Sequence, residues 1–431
     1  MIRSKISNAR SLRLRSAAIF VGLFLAILGP GHAKAGPLEP YAGCYTDIDG
    51  FVLAIGADLR AYRKAARLPD FPVYKEMATA AYLMHKKAVV PRGNGWVFQP
   101  GGYARYPDFA FAGWDGRGRP PESAIVEDIA WDVSHFMRWA LWLTNFEQAE
   151  VLPQRRQFYR TLRRGLANQL VDVVLIPPSR SFRTYRLNNF MDGRNGWFRW
   201  DRKTGRGVAP YEMTGSFILG WWSFLDDPRV TQAYRQMAAT FPLSEPEQKM
   251  LWINVSQKYN VLAPHFTRLA GLQRGDTVHA EDVENWKAFE APYLQKPLWQ
   301  DDYVQTAYHD LMLPMHIAFL HNMPRWQKDV AAQFSMFSAA RVKFPPSLNE
   351  LHYLHLATRF MALAARAGKA NLIPAQLPAM AEGRLLQLWS GGENPVSLTG
   401  WGEPEFHGFS KYLAWKLQSP CPQPERTSGA G

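Results

Sequence analysis

Glu127 to Leu143 reads EDIAWDVSHFMRWALWL, and its residue types suit work on a sugar ring. At roughly 100° per residue on a helix, Asp128, Trp131, Asp132, His135, Trp139 and Trp142 fall on one stripe. Ile129, Val133, Phe136, Ala140 and Leu143 form the neighbouring stripe, an ordinary core face. A solvent-facing stripe has no use for three indoles, and a buried one does not tolerate unpaired carboxylates. A cleft wall that holds a polar, ring-shaped ligand uses both. Glycoside hydrolysis needs one carboxylic acid to protonate the leaving oxygen and a second carboxylate as base or nucleophile. Asp128 and Asp132, one helical turn apart, share a face at a backbone separation of about 6 Å. One of them would therefore pair with an acid from a facing element, with Glu212, Asp302 and Glu405 as candidates. His135, a turn beyond Asp132, would be oriented by it. The plainer reading is that Asp128 or Asp132 caps a neighbouring loop or pairs with Arg138.

A second stripe lies on DDYVQTAYHDLMLPMHIAFL, where Asp302, Gln305, His309, Met312 and His316 recur at helical spacing and Pro314 predicts a kink. Tyr308 and His309 could serve as base and acid in β-elimination beside a uronate, with Arg186 neutralising the carboxylate. His352 and His355, three residues apart without a nearby carboxylate, read as packing and not as metal ligands. No phosphate-cradling glycine loop, nucleophile elbow or cysteine metal site occurs, so no metal or cofactor is expected.

Three long loops supply the remaining candidates. Residues 92–122 are rich in Gly, Pro and aromatics and lead into the 127–143 segment. Residues 178–212 bring Arg186, Asn189, Asp192, Arg194 and Trp197 together, and residues 391–407 hold Trp401, Glu403, Glu405 and His407. Loops of this length are functional or disordered, and their aromatic density argues against disorder. Trp114, Trp131, Trp139 and Trp197 are the indoles selected as stacking surfaces for sugar. Arg186, Asn189, Asp192 and Arg194 are the candidates for its polar groups.

Elsewhere the apolar residues repeat at i, i+3 and i+4 in about a dozen segments, with short β pieces expected only near Trp96–Tyr106 and Trp197–Asp201. No long Pro/Gly/Ser linker divides the chain. An all-α domain over 36–431, an (α/α) toroid of helical hairpins with long aromatic loops and minor β, is the architecture that suits this count. The absence of a fixed-length repeat counts against a solenoid.

Residues 1–35 read as a signal peptide: Arg3, Lys5, Arg10, Arg13 and Arg15 precede the apolar run Ala17–Leu28, and Ala33-Lys34-Ala35 fits a cleavage site before Gly36. The apolar run is short for a membrane span, so no stable insertion is expected after cleavage. The chain should be exported to the periplasm or medium. Removing the six Lys/Arg of residues 1–35, which hold no acid, takes the formal charge from +13 to +7. No Lys/Arg run accompanies that excess, so nucleic acid is not the expected partner. It would suit an acidic ligand or simple solubility. Cys44 and Cys421, the two cysteines, are expected to pair in an oxidising compartment and tie the ends of the mature chain together.

DIAWDVSHFMRWALWL, NNFMDGRNGWFRW and PYEMTGSFILGWWSFL together resemble secreted (α/α)-toroid carbohydrate-active proteins, the class that includes bacterial glycoside hydrolases and polysaccharide lyases. Phe190 follows Asn188-Asn189 where alginate lyases of that fold carry a histidine, so no catalytic residue transfers. The expected function is cleavage of a bacterial polysaccharide by carboxylate acid/base hydrolysis, with β-elimination as the alternative. A non-catalytic periplasmic protein that binds or guides glycan for an exopolysaccharide secretion machinery is the other.

Overall fold

Helix α1 (Asp47–Ala65) sets the frame. Every residue from Ile48 to Arg63 is buried, as befits the run FVLAIGADL with apolar groups all round. Asp49 Oδ2 accepts from the Thr46 backbone N–H at 2.6 Å and fixes the start of the helix. The charges that α1 carries inward are paired: Asp49 meets Lys416 Nζ at 2.9 Å and Asp58 meets Arg359 Nη1 at 3.0 Å, all four buried.

The computed structural model describes residues 43–250, 257–282, 284–285, 303–337, 348–391 and 408–421. Among these follow α2 (Pro72–Ala88), α3 (Val133–Phe136), α4 (Arg138–Ala149), α5 (Pro153–Gln169), α6 (Thr214–Ile218) and α7 (Pro228–Ala238). Then come α8 (Glu245–Met250), α9 (Gln257–Ala270), α10 (Tyr303–Leu320), α11 (Pro324–Phe337), α12 (Leu348–Arg366), α13 (Leu377–Ser390) and α14 (Phe409–Gln418). The chain is mostly helical, as the periodicity predicts. Among the described residues, strand is confined to three antiparallel pairs: β1 (Val89–Arg92) with β2 (Gly95–Phe98), β3 (Leu175–Ile176) with β4 (Arg186–Leu187), and β5 (Phe198–Asp201) with β6 (Arg206–Val208). β2 and β5 overlap the stretches where short β pieces are expected, whereas β1 and β6 lie outside them and residues 99–106 are not strand.

Helix α1 packs on α2, α4 and α12; α4 packs on α5 and on a 3-10 turn, Trp221–Leu225. That turn meets α9, α9 meets α10, and α10 meets α12. The segment EMTGSFILGWWSFL is not one helix. Gly220 takes φ +80°, open to glycine at no steric cost, and ends α6 before the 3-10 turn. Likewise α5 runs into a π-helical stretch, Leu170–Val174. Residues 1–35, the proposed mature start at Gly36, Asp302, and Trp401 to His407 of the third loop lie outside the described residues. No described helix is long and apolar enough to cross a membrane.

Cys44 and Cys421 are bonded, 377 residues apart in sequence with their Cα atoms 4.6 Å apart. Lys87 Nζ reinforces the same corner by donating to the carbonyls of Lys416, Leu417 and Ser419 at the end of α14. A cross-link that closes so long a loop removes entropy from the unfolded chain. Cys44→Ser/Cys421→Ser should therefore lose about 4 kcal/mol of stability, toward the upper end of disulfide effects. Denaturant titration with and without reductant reads this, and equal midpoints would show that the bond does not matter to stability.

Candidate functional site

The segment from Glu127 to Leu143 does not form one helix. Residues 127–131 are extended or turning, Asp132 is the N-cap of α3, and Met137 separates α3 from α4. Tertiary pairing overrides the periodicity here. Asp132 forms a β-bridge with Phe190, Met191 N–H donates to Trp131 O at 2.9 Å, and Val133 N–H donates to Asn189 O at 2.9 Å. The stripe read from 100° steps is thus not a surface. Trp131, Trp139 and Trp142 are buried in the core around Phe98 and Phe136 and are not a sugar-facing wall.

Two members of the stripe nonetheless meet. Asp132, 2% exposed, accepts from His135 N–H at 3.1 Å and from Ser134 Oγ at 2.5 Å. Both of its carboxylate oxygens lie 2.9 Å from His135 Nδ1. Burial raises the Asp132 pKa, but the imidazole, the two other hydrogen bonds and the Arg199 guanidinium outweigh it and hold the group at about 2. An ionised Asp132 accepts a hydrogen bond from His135 Nδ1 and so fixes the orientation of the ring. The His135 side chain is 24% exposed, with the Phe198 ring edge-on 6.1 Å away. This is an oriented base with a buried carboxylate behind it. Asp132 itself, with both oxygens occupied, is a positioning residue.

Asn189 ties this turn to the second half of the site. Its Nδ2 donates to Gly196 O and Ala209 O at 2.9 and 2.8 Å, and its Oδ1 accepts from Met213 N–H at 3.3 Å. Its amide is buried and fully engaged, so it holds the site together and does not bind substrate. Between Ala209 and Met213 sits Glu212, whose Oε2 accepts from Ala209 N–H at 2.7 Å. Burial pushes the Glu212 pKa up, and that single backbone bond opposes the shift without reversing it. Asn189 thus links the turn that carries Asp132 and His135 to the turn that carries Glu212.

Tyr211, which sequence patterns do not select, completes the site with Asn195 and Arg199. Tyr211 has φ +70° and Arg199 has φ +55°, positions where a non-glycine residue persists only when its surroundings over-determine it. Asn195 Oδ1 accepts from Tyr211 N–H at 2.9 Å, and Thr214 Oγ1 donates to Tyr211 O at 2.7 Å. Arg199 Nε donates to Asp108 at 2.7 Å while the guanidinium lies over Phe198. A left-handed backbone at an arginine or tyrosine leaves no mark in composition or period. Asp132 followed three residues later by His135 does carry a legible N-cap pattern.

The other candidates separate. Asp128 is half-exposed and pairs with Arg194 Nη1 at 2.8 Å and Arg92 at 3.5 Å. Burial raises its pKa, and the two arginines bring it below the usual range. Asp192 accepts from Ala130 N–H at 2.9 Å and from Arg194, so Asp128, Asp192 and Arg194 form an ion network. That network borders a cleft of about 340 Å³ lined by Arg92, Asn94, Asn168, Asp172 and Asp192. Trp114 and Trp197 stack on each other at 5.4 Å, with Trp200 edge-on to both, so their faces are shared among themselves. Tyr308 is buried in the core with its hydroxyl 2.8 Å from His355 Nδ1, and His309 is buried beside it. Neither is placed to meet a polymer. His352 and His355 are buried in that same core, and no group of three metal-binding side chains occurs among the described residues. No protein-family model, curated protein or solved structure matches the chain.

Proposed function

We propose that the chain is an exported enzyme that cleaves a polysaccharide at the Asp132–His135–Glu212 site, on an (α/α)-toroid frame. The observation that carries the reading is the geometry of His135. Its Nδ1 is held by both oxygens of a buried aspartate, and its side chain is 24% exposed. In hydrolysis, His135 Nε2 takes a proton from the attacking water as its oxygen bonds the anomeric carbon. Glu212, whose pKa burial raises, gives a proton to the leaving glycosidic oxygen as its bond to the anomeric carbon breaks. Asp132 stabilises the imidazolium that results.

The toroid is supported by a cycle of packing: α1 on α4, α4 on the Trp221–Leu225 turn, then α9, α10 and α12, which returns to α1. The amino-terminal pattern and the Cys44–Cys421 bond support export. The glycan reading rests on the aromatic loops and the sequence resemblance. β-Elimination is the second reading, and one observation favours it: the accessible base is an imidazole, while the carboxylate beside it is fully engaged.

The test is a product assay of the mature protein on acidic and neutral bacterial polysaccharides, with Glu212→Gln alongside. Hydrolysis gives new reducing ends without ultraviolet absorbance, at least 100-fold fewer in the mutant. Absorbance at the ultraviolet edge would instead mean elimination. Full turnover by Glu212→Gln would remove the acid from the scheme. Binding across the panel without turnover would leave a glycan-binding protein.

A further inference from the structure

Arg186 is the conspicuous charge of the site. It lies on β4, three residues before Asn189, with its guanidinium carbon 4.7 Å from the Phe182 ring centre and 4.6 Å from that of Tyr211. Two aromatic rings therefore hold the guanidinium through cation–π contact. The clamp is built in advance. Thr214 Oγ1 accepts from Leu187 N–H at 2.7 Å and itself donates to Tyr211 O, which locks the strand bearing Arg186 to the turn bearing Tyr211.

The N–H edge of the same group has no acceptor among the described residues. Its Nε is buried without a hydrogen-bond partner, and no described carboxylate lies within ion-pair distance. Other buried arginines are treated differently. Arg60 pairs with Asp70 at 2.8 Å, Arg63 with Glu382 at 2.7 Å, Arg138 with Asp47 at 3.3 Å and Arg359 with Asp58 at 3.0 Å. Leaving a half-buried guanidinium unpaired is costly, whereas its fork fits a planar anion in two parallel bonds.

We propose that Arg186, clamped by Phe182 and Tyr211, is the subsite for a carboxylate on the substrate, which makes the substrate an acidic, uronate-bearing glycan. The inference rests on the glycan-cleaving reading and adds the chemical class that the site selects. Both hydrolysis and elimination are compatible with it. In either, the clamp fixes the acidic sugar beside the turn that carries Glu212.

The test uses the full chain with its disulfide intact, in the His135→Asn background so that ligand is not consumed. Calorimetric titration compares oligoglucuronate, oligogalacturonate and oligomannuronate with their carboxyl-reduced neutral counterparts, and sodium sulfate is run alone. At least one acidic oligosaccharide should bind tenfold or more tighter than its neutral form. Arg186→Gln should abolish that preference, and Arg186→Lys, which keeps the charge without the fork, should keep part of it. Circular dichroism reports whether Arg186→Gln folds; if it does not, the comparison rests on Arg186→Lys and Phe182→Leu, each of which should narrow the preference. Equal affinity for acidic and neutral forms, a preference that survives these variants, or no binding at all would overturn the proposal. Equal Arg186-dependent binding of sulfate alone would overturn its sugar specificity. If the preference depends on Arg186 but protein with His135 intact releases no product, the subsite stands and the enzymatic reading fails.

Discussion

His135→Asn should lower turnover by about 10²–10⁴-fold, the range for loss of a positioned general base, and should also lower stability, because the imidazole is the foremost group opposing the burial of Asp132. Its ring is partly exposed and hydrogen-bonds to both oxygens of the buried Asp132. Asp132→Asn should give a comparable loss by a different route, because an amide does not enforce the Nδ1–H tautomer or stabilise the imidazolium. It should also destabilise the protein. Asp132 titrates at about 2 in the folded chain against an ordinary 3.8, which corresponds to about 2 kcal/mol. Because the folded value is the lower one, that contribution is complete above about pH 4 and fades as pH falls through 2. The wild-type stability curve should therefore steepen between pH 4 and 2, and the Asp132→Asn curve should lack that component. Normal specific activity in His135→Asn would end the acid/base scheme.

Asp58→Ala should cost about 3–5 kcal/mol, the expected penalty for stranding a buried charge. Asp58 accepts from Arg359 Nη1 at 3.0 Å and Asn145 Nδ2 at 3.1 Å, and its Oδ2 is 3.4 Å from His355 Nε2. Arg359 also donates to Gln148 and His316, so α1, α4, α10 and α12 are joined through one polar core. Burial holds the His355 pKa below its ordinary value against the pull of Asp58, so removing the aspartate does not create a compensating charge there. Tyr308→Phe should cost less, about 1–3 kcal/mol, by leaving His355 Nδ1 without its 2.8 Å partner. Both variants should retain the specific activity of their folded fraction, measured by thermal melts paired with product assays. A large rate loss in folded Tyr308→Phe would restore the elimination scheme based on Tyr308 and His309.

Helical class, the strands at 95–98 and 198–201, and the Cys44–Cys421 bond were legible from local periodicity and cysteine position, whereas the partner strands at 89–92 and 206–208 were not. The site was less accessible. Residues 127–132 fit a helical period as well as the true helix beyond them does. What keeps them extended is pairing with residues 190–191, a distant partner invisible to a local window. A helical period likewise puts Trp131 and Trp139 on a cleft wall, whereas they fill the core. Asp132 and His135 were found together because a three-residue separation also serves an N-cap. Asn189 and Asp192 have the residue types of ligand contacts, but their hydrogen bonds are spent on backbone and on Arg194.

The burial of α1 has a kinetic consequence. This helix is among the first parts made, yet α12, which covers it, is among the last, and the Asp58–Arg359 bond joins residues 301 apart. At 5–20 residues per second, roughly 15–60 s of synthesis separate the two. Throughout that interval the face of α1 that α12 covers, with the buried Asp58, lacks its partner and presents a sticky surface to whatever is nearby. High contact order of this kind slows folding and favours an escort that keeps the early helix from aggregating until α12 arrives.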